Sequence, residues 1–141
     1  MLPQIIKGNF HKDERGQIIF NNDFDAQEIR RIYFIENRDT HFVRAWQGHK
    51  VEQRFFSAVQ GSFLIKLIKI ENWEQPKKDP EILSFELSSS SGDILHVPKG
   101  YLNSVQALEL NSKLMVMADH TLQEGEEVLR FPPDFFNIKN E

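Results

Sequence analysis

The chain has 141 residues, 40% of them hydrophobic and 27% charged, with a net charge of −4 and no cysteine. This length fits a single domain with its own core. The charge gives no general attraction for nucleic acid, and the absence of cysteine excludes a disulfide framework, a thiol nucleophile and a thiolate metal site.

In chain order, the start M-L-P-Q-I-I-K-G-N-F lacks the apolar h-region of a signal peptide. No run of about 18 apolar residues follows, so no membrane span is expected and a cytoplasmic location is. Residues 17–20 follow a glycine turn and read as a strand, as do residues 29–35 (I-R-R-I-Y-F-I), rich in β-branched and aromatic side chains. Residues 55–59 and 62–70 flank Gln60-Gly61, which reads as a tight turn between paired strands. In 62–70 the period of two favours a strand over a helix. Residues 71–80 are polar, hold two prolines and predict a long loop. Residues 81–87 alternate as a strand, 88–93 form a turn, and 94–97, 104–108 and 113–118 are three further short strands. Residues 124–136 combine charge, Pro132-Pro133 and aromatics, and are expected to pack as a short helix or an ordered arm. Many short strands separated by Gly/Pro turns predict an all-β sandwich or barrel.

Two segments carry the chemistry. The first is R-A-W-Q-G-H-K-V-E-Q-R-F-F-S-A-V-Q-G, residues 44–61; the second is G-D-I-L-H-V-P-K-G-Y-L-N, residues 92–103. They resemble the paired motifs of the cupins. The second keeps that frame through Gly92, Pro98 and Gly100 and ends on Asn103, where a metal-binding cupin has its last histidine. In the first, the H-x-H pair reads Gln47-Gly48-His49, and Arg54 stands at the glutamate position. A first-row metal needs three or four N, O or S ligands. The resemblance therefore implies a jelly-roll barrel and argues against a metal. A metal site in which His49 recruits His41, His96 or Glu52 is the remote alternative.

Further stretches follow in order: D-E-R-G at 13–16, R-R-I-Y-F at 30–34, the turn at 61–63, Pro98-x-Gly100, and L-M-V-M-A-D at 114–119. Together they resemble the sugar-nucleotide branch of the cupins over roughly residues 5 to 136. The similarity is to the thymidine-diphosphate 4-keto-6-deoxyglucose 3,4-ketoisomerases, also described as WxcM-like; the 3,5-epimerases of rhamnose synthesis share the fold. The ketoisomerases carry a G-H-A-H-K segment with two histidines, and Gln47 replaces the first here. The epimerases place a base histidine at the Gln47 position and an acid tyrosine near Met115, and both are absent.

The resemblance implies an isomerase of a nucleotide-linked 4-keto-6-deoxy sugar, in deoxysugar or surface-polysaccharide synthesis, with no metal or redox cofactor. His49 is the candidate base, because a side chain titrating near neutrality suits proton removal next to a ketone. Tyr33 is the candidate proton donor. Gln47 can hydrogen-bond a sugar hydroxyl but cannot take up a charge, and Asn103 is assigned to substrate with it. Arg15 and Arg44 are the candidate diphosphate contacts, since a guanidinium grips phosphate oxygens in a fork. Lys50, Arg54 and Lys66 are expected to add positive potential. Arg44, Gln47, His49 and Lys66 are expected around one barrel mouth. Trp46, Phe55, Phe56 and Tyr101 are read as core aromatics, with base stacking as the alternative. His11, His41 and His96 have no spacing partner, and Asp119 either orients a catalytic group or holds a turn. The partners implied are a thymidine diphosphate sugar and a second copy of the chain, with the N-terminal strand exchanged between copies. The alternatives are a non-catalytic cupin that binds a sugar nucleotide, and an epimerase relative with altered chemistry.

Overall fold

A computed structural model describes residues 1–122 and 128–138. Among them no helix occurs, and the strands are β1 (Gln4–Ile6), β2 (Asn9–Asp13), β3 (Gly16–Phe20), β4 (Arg31–Ile35), β5 (Val43–His49), β6 (Arg54–Gln60), β7 (Ser62–Lys69), β8 (Leu83–Ser88), β9 (Ile94–Val97), β10 (Tyr101–Ala107), β11 (Lys113–Ala118) and β12 (Leu129–Arg130). Two five-stranded antiparallel sheets form, in the orders β1-β9-β6-β11-β4 and β12-β5-β10-β7-β8, and β2 pairs with β3 as a separate hairpin. This is the jelly-roll barrel that the motifs imply.

The alternation of apolar side chains decides which face of each sheet turns inward. On β7, Phe63, Ile65 and Leu67 are fully buried, and they meet Phe56, Leu95, Leu114 and Val116 of the first sheet in one core. Burying each such side chain stabilises the fold by about 1.5–3 kcal/mol. A second apolar cluster lies on the outer side of the other sheet. There Trp46, Ile68, Leu102 and Phe136 pack together, so the arm that follows β12 is tied down by its aromatics.

The turn at Gln60-Gly61 does not join paired strands. β6 belongs to the first sheet and β7 to the second, so the chain turns a corner between layers. Gly61 makes the corner with φ +69°, where an added Cβ would also run into the Ser112 side chain. Three strands have no counterpart in the pattern reading: β1, β2 and β5. Their apolar residues do not alternate cleanly; β5 in particular carries a bulge against β10, where Asn103 faces Gln47 but Val105 faces Arg44. β10 begins at Tyr101, three residues before the start expected from pattern, because the polar Asn103 is buried inside the barrel. Residues 124–127 of the expected tail element lie outside the described residues; the remainder is the short β12 and the aromatic arm.

Candidate functional site

Directly opposed residues of neighbouring strands share a face. On β5, His49 opposes Tyr101 and Gln47 opposes Asn103. On β4, Arg31 opposes Ala118 and Tyr33 opposes the core residue Val116; on β6, Arg54 opposes Ala118 as well. The interior rows of both sheets therefore bring Arg31, Tyr33, Gln47, His49, Arg54 and Asn103 into one region. Glu52, in the turn between β5 and β6, is buried among them.

The contacts inside this cluster are ionic. Arg54 Nε donates to Glu52 Oε2 at 3.1 Å, an Arg31 terminal nitrogen lies 3.8 Å from Glu52 Oε1, and His49 Nδ1 lies 3.4 Å from Glu52 Oε2. The Arg31 guanidinium sits 4.7 Å over the Tyr33 ring and that of Arg54 5.8 Å from it. β12 adds a third guanidinium, since Arg130 opposes Gln47 across the β5 edge and its charge acts on His49.

Burial, then the charges of Arg54, Arg31 and Arg130, push the His49 pKa down to about 3. Its imidazole is therefore neutral at any ordinary pH. Burial raises the Tyr33 pKa against the opposing pull of Arg54 and Arg31, so the phenol keeps its proton.

Five buried side-chain nitrogens lack a hydrogen-bond partner among the described residues, and four belong to this cluster: Arg31 Nε, His49 Nε2, Arg54 Nη1 and Asn103 Nδ2. Leaving one such group unpaired costs about 1–3 kcal/mol. Four gathered together mark a place built for a polar, electron-rich ligand. They do not fit a divalent cation. Guanidinium groups only donate, and among the described residues no three of His, Asp and Glu gather as ligands.

The other expected site residues lie elsewhere. Arg44 shares the face of Gln47 and His49 through its register with Val105, four residues along β10 from the Tyr101 that opposes His49, about 13 Å by strand rise. There it is exposed, donating to Asn37 Oδ1 at 3.2 Å. Lys66 opposes Ser104 on the outer face of the second sheet, so it does not share a mouth with His49. The odd–even alternation of β7, which buries Ile65 and Leu67, turns Lys66 out. Lys50 reaches the Trp73 ring at 6.0 Å, beside the 71–80 loop. Arg15 is at the β2–β3 hairpin tip, exposed and paired with Asp13 at 2.7 Å.

Trp46, Phe56 and Tyr101 are buried core residues. Phe55 stacks on His96 at 4.7 Å on the outer face of the first sheet. There His96 Nε2 meets Gln53 Oε1 at 2.7 Å, and Gln53 Nε2 donates to Asp119 Oδ2 at 3.1 Å. Asp119 also accepts from the Gln53 backbone N–H, so it anchors the β5–β6 turn that carries Glu52.

Sequence reasoning missed Arg31, Arg130 and the role of Glu52. Alternation could have found Arg31, two residues from Tyr33 on the same strand face. Arg130 arrives through a distant strand pairing and left no local signal.

A family model described as FdtA: WxcM-like, C-terminal matches residues 2–140. No protein of curated function matches the chain. Among solved structures, a 3,4-ketoisomerase from Helicobacter canadensis is 24% identical, with 93% of this chain and 92% of that chain covered and a TM-score of 0.68. A variant of the 3,4-ketoisomerase QdtA from Thermoanaerobacterium thermosaccharolyticum, in complex with TDP-4-keto-6-deoxyglucose, is 21% identical over 93% and 90% of the two chains, with a TM-score of 0.69. The dTDP-4-dehydrorhamnose 3,5-epimerase of Bacillus anthracis is 12% identical over 86% and 75%, also with a TM-score of 0.69. At these identities the structures show a shared fold.

Proposed function

The chain belongs to the FdtA, WxcM-like C-terminal family, and from that membership we propose that it isomerises a nucleotide-linked 4-keto-6-deoxy sugar between its 4-keto and 3-keto forms. The observation that carries this reading is the unpartnered, neutral His49 Nε2 held among guanidinium groups. His49 Nε2 takes the proton from C3. The C3–H electron pair forms the C3–C4 double bond, and the C4 oxygen gains the charge. The C4 oxygen gains a proton, the C3 hydroxyl loses one, and the proton on His49 Nε2 is delivered to C4, which leaves a hydroxyl at C4 and the ketone at C3.

Each neighbour has a part in these steps. The enediolate carries its negative charge next to Arg31 and Arg54, where preorganised donors stabilise developing charge most. That same charge offsets the guanidinium field that disfavours the imidazolium, so His49 becomes a better base as the enediolate forms. Glu52 stabilises the imidazolium from the Nδ1 side. Tyr33, protonated, donates to the oxygen that becomes negative. Gln47 and Asn103 hydrogen-bond sugar hydroxyls. Arg130, with Arg44 further along β5, takes the diphosphate, which a thymidine nucleotide would carry. Arg15, Lys50 and Lys66 stand apart from this line within one chain. The active form we propose is a homodimer.

Incubation with thymidine-diphosphate-4-keto-6-deoxyglucose in D2O, followed by NMR, tests the reading. Deuterium at C3 or C4 with a new keto-sugar spectrum supports it. Deuterium at C5 as well points to epimerase chemistry. Saturable line broadening with no exchange favours the second reading, a binding protein, for which Gln47 in place of a second base is the supporting observation. Neither exchange nor broadening removes this substrate class.

A further inference from the structure

On the outer face of the second sheet, beneath the C-terminal arm, lies a cavity of about 330 Å³. This is within the size range of small-molecule sites. The sheet itself separates it from the His49 cluster. Lys66, Ser104 and Gln106 line it, and they alternate with Leu67, Asn103 and Val105, which belong to the interior rows. Pro133, Phe136 and Ile138 of the arm line the opposite side.

The polar groups of this cavity come from two neighbouring strands. Ser104 is only 3% exposed, and its side chain lines the cavity. Lys66 directly opposes it across the strand pair, and no carboxylate of the described residues pairs with its ammonium. The Trp46 side chain, which also lines the cavity, is 2% exposed and has an unpartnered indole N–H. The Gln106 amide N–H donates to the Thr40 carbonyl at 2.9 Å, which fixes the amide in place. A hydroxyl opposite an ammonium with no carboxylate partner suits an anionic ligand. The remaining lining, including Val43, Ala45 and Leu64, is largely apolar.

We propose that this cavity is a second ligand site, distinct from the sugar-nucleotide site, that takes a small carboxylate with a compact apolar body. The carboxylate accepts from Lys66 and Ser104, and the apolar body lies against Leu64 and Phe136.

Benzoate serves as the probe. Trp46 and Trp73 are the two tryptophans of the chain, so a Trp73→Phe variant of the full chain reports from Trp46 alone. Titration with benzoate is expected to change its fluorescence saturably, and benzyl alcohol, which has the same ring without the charge, to bind much more weakly. Adding Lys66→Met is expected to weaken benzoate about tenfold or more, as loss of a charge-assisted hydrogen bond does. Lys66→Gln, which keeps a donor, should give an intermediate loss, with melting curves confirming that each variant folds. Thymidine diphosphate should not displace benzoate. The proposal is overturned by no saturable change, by equal affinity in the folded Lys66 variants, or by competition with thymidine diphosphate, which would place the probe in the interior site. It does not depend on the chain having isomerase activity.

Discussion

The Glu52 carboxylate lies 3.4 Å from His49 Nδ1, and both side chains are buried. It also pairs with the Arg54 and Arg31 guanidiniums, so one carboxylate faces both His49 and the cations around it. Glu52→Gln removes the charge while keeping the shape. The expected result is a kcat lower by about a hundredfold with a much smaller change in KM. The melting temperature should fall as well, because removing one partner of a buried ion pair costs about 3–5 kcal/mol. Thymidine diphosphate is expected to recover part of that loss in thermal melts. An unchanged kcat with a lower melting temperature would reduce Glu52 to a structural role.

The depressed pKa of His49 makes a second prediction, with a definite sign. The imidazole titrates at about 3 in the folded chain and near 6.5 in the unfolded one. Between those values the unfolded state binds the proton and the folded state does not, so this group's contribution to stability is full above pH 6.5 and declines as pH falls towards 3. Melting temperatures from pH 7 to 4 should fall more steeply for the native chain than for His49→Gln. Turnover should show no inflection near pH 6.5 in kcat/KM, and His49→Gln should abolish it.

The all-β class was legible from the strand pattern and the jelly roll from the resemblance of the two motifs, and β9 and β11 have the expected bounds. His49, Tyr33, Gln47, Arg54 and Asn103 were legible from motif position, and they do come together. Lys66 was not, although the same alternation that buries Ile65 and Leu67 was available to place it on the outer face. Arg130 was beyond reach, since only the pairing of a two-residue strand with β5 brings it near His49. Glu52 lies in a turn, where no periodicity assigns a side chain to a face.

The edge strand β4 offers a test of the proposed dimer. Ile32 and Phe34 point away from the core and are 53% and 54% exposed, next to Met115 and Met117 of β11 on the same face. Adjacent exposed apolar residues on an edge strand favour association with another chain. Phe34→Lys is expected to shift sedimentation from dimer to monomer while leaving the monomer folded. A dimer that persists would place the interface elsewhere, for instance at the β2–β3 hairpin with its exposed Phe10 and Ile18.

Arg130 and Lys66 make a paired prediction, because both are cations near β5 or β10 but on opposite faces of one sheet. Arg130 opposes Gln47 and acts on His49, whereas Lys66 opposes Ser104 on the outside. Arg130→Met is expected to raise KM for the sugar nucleotide about three- to tenfold, the effect of one partly screened charge contact. It should also flatten the rise of KM with salt. Lys66→Met should leave kcat/KM within about twofold, as a substitution away from the substrate does. Steady-state kinetics at two ionic strengths would separate the two residues. A large loss in Lys66→Met with Arg130→Met unaffected would mean that the substrate lies on the outer face of the sheet, and would overturn the interior site.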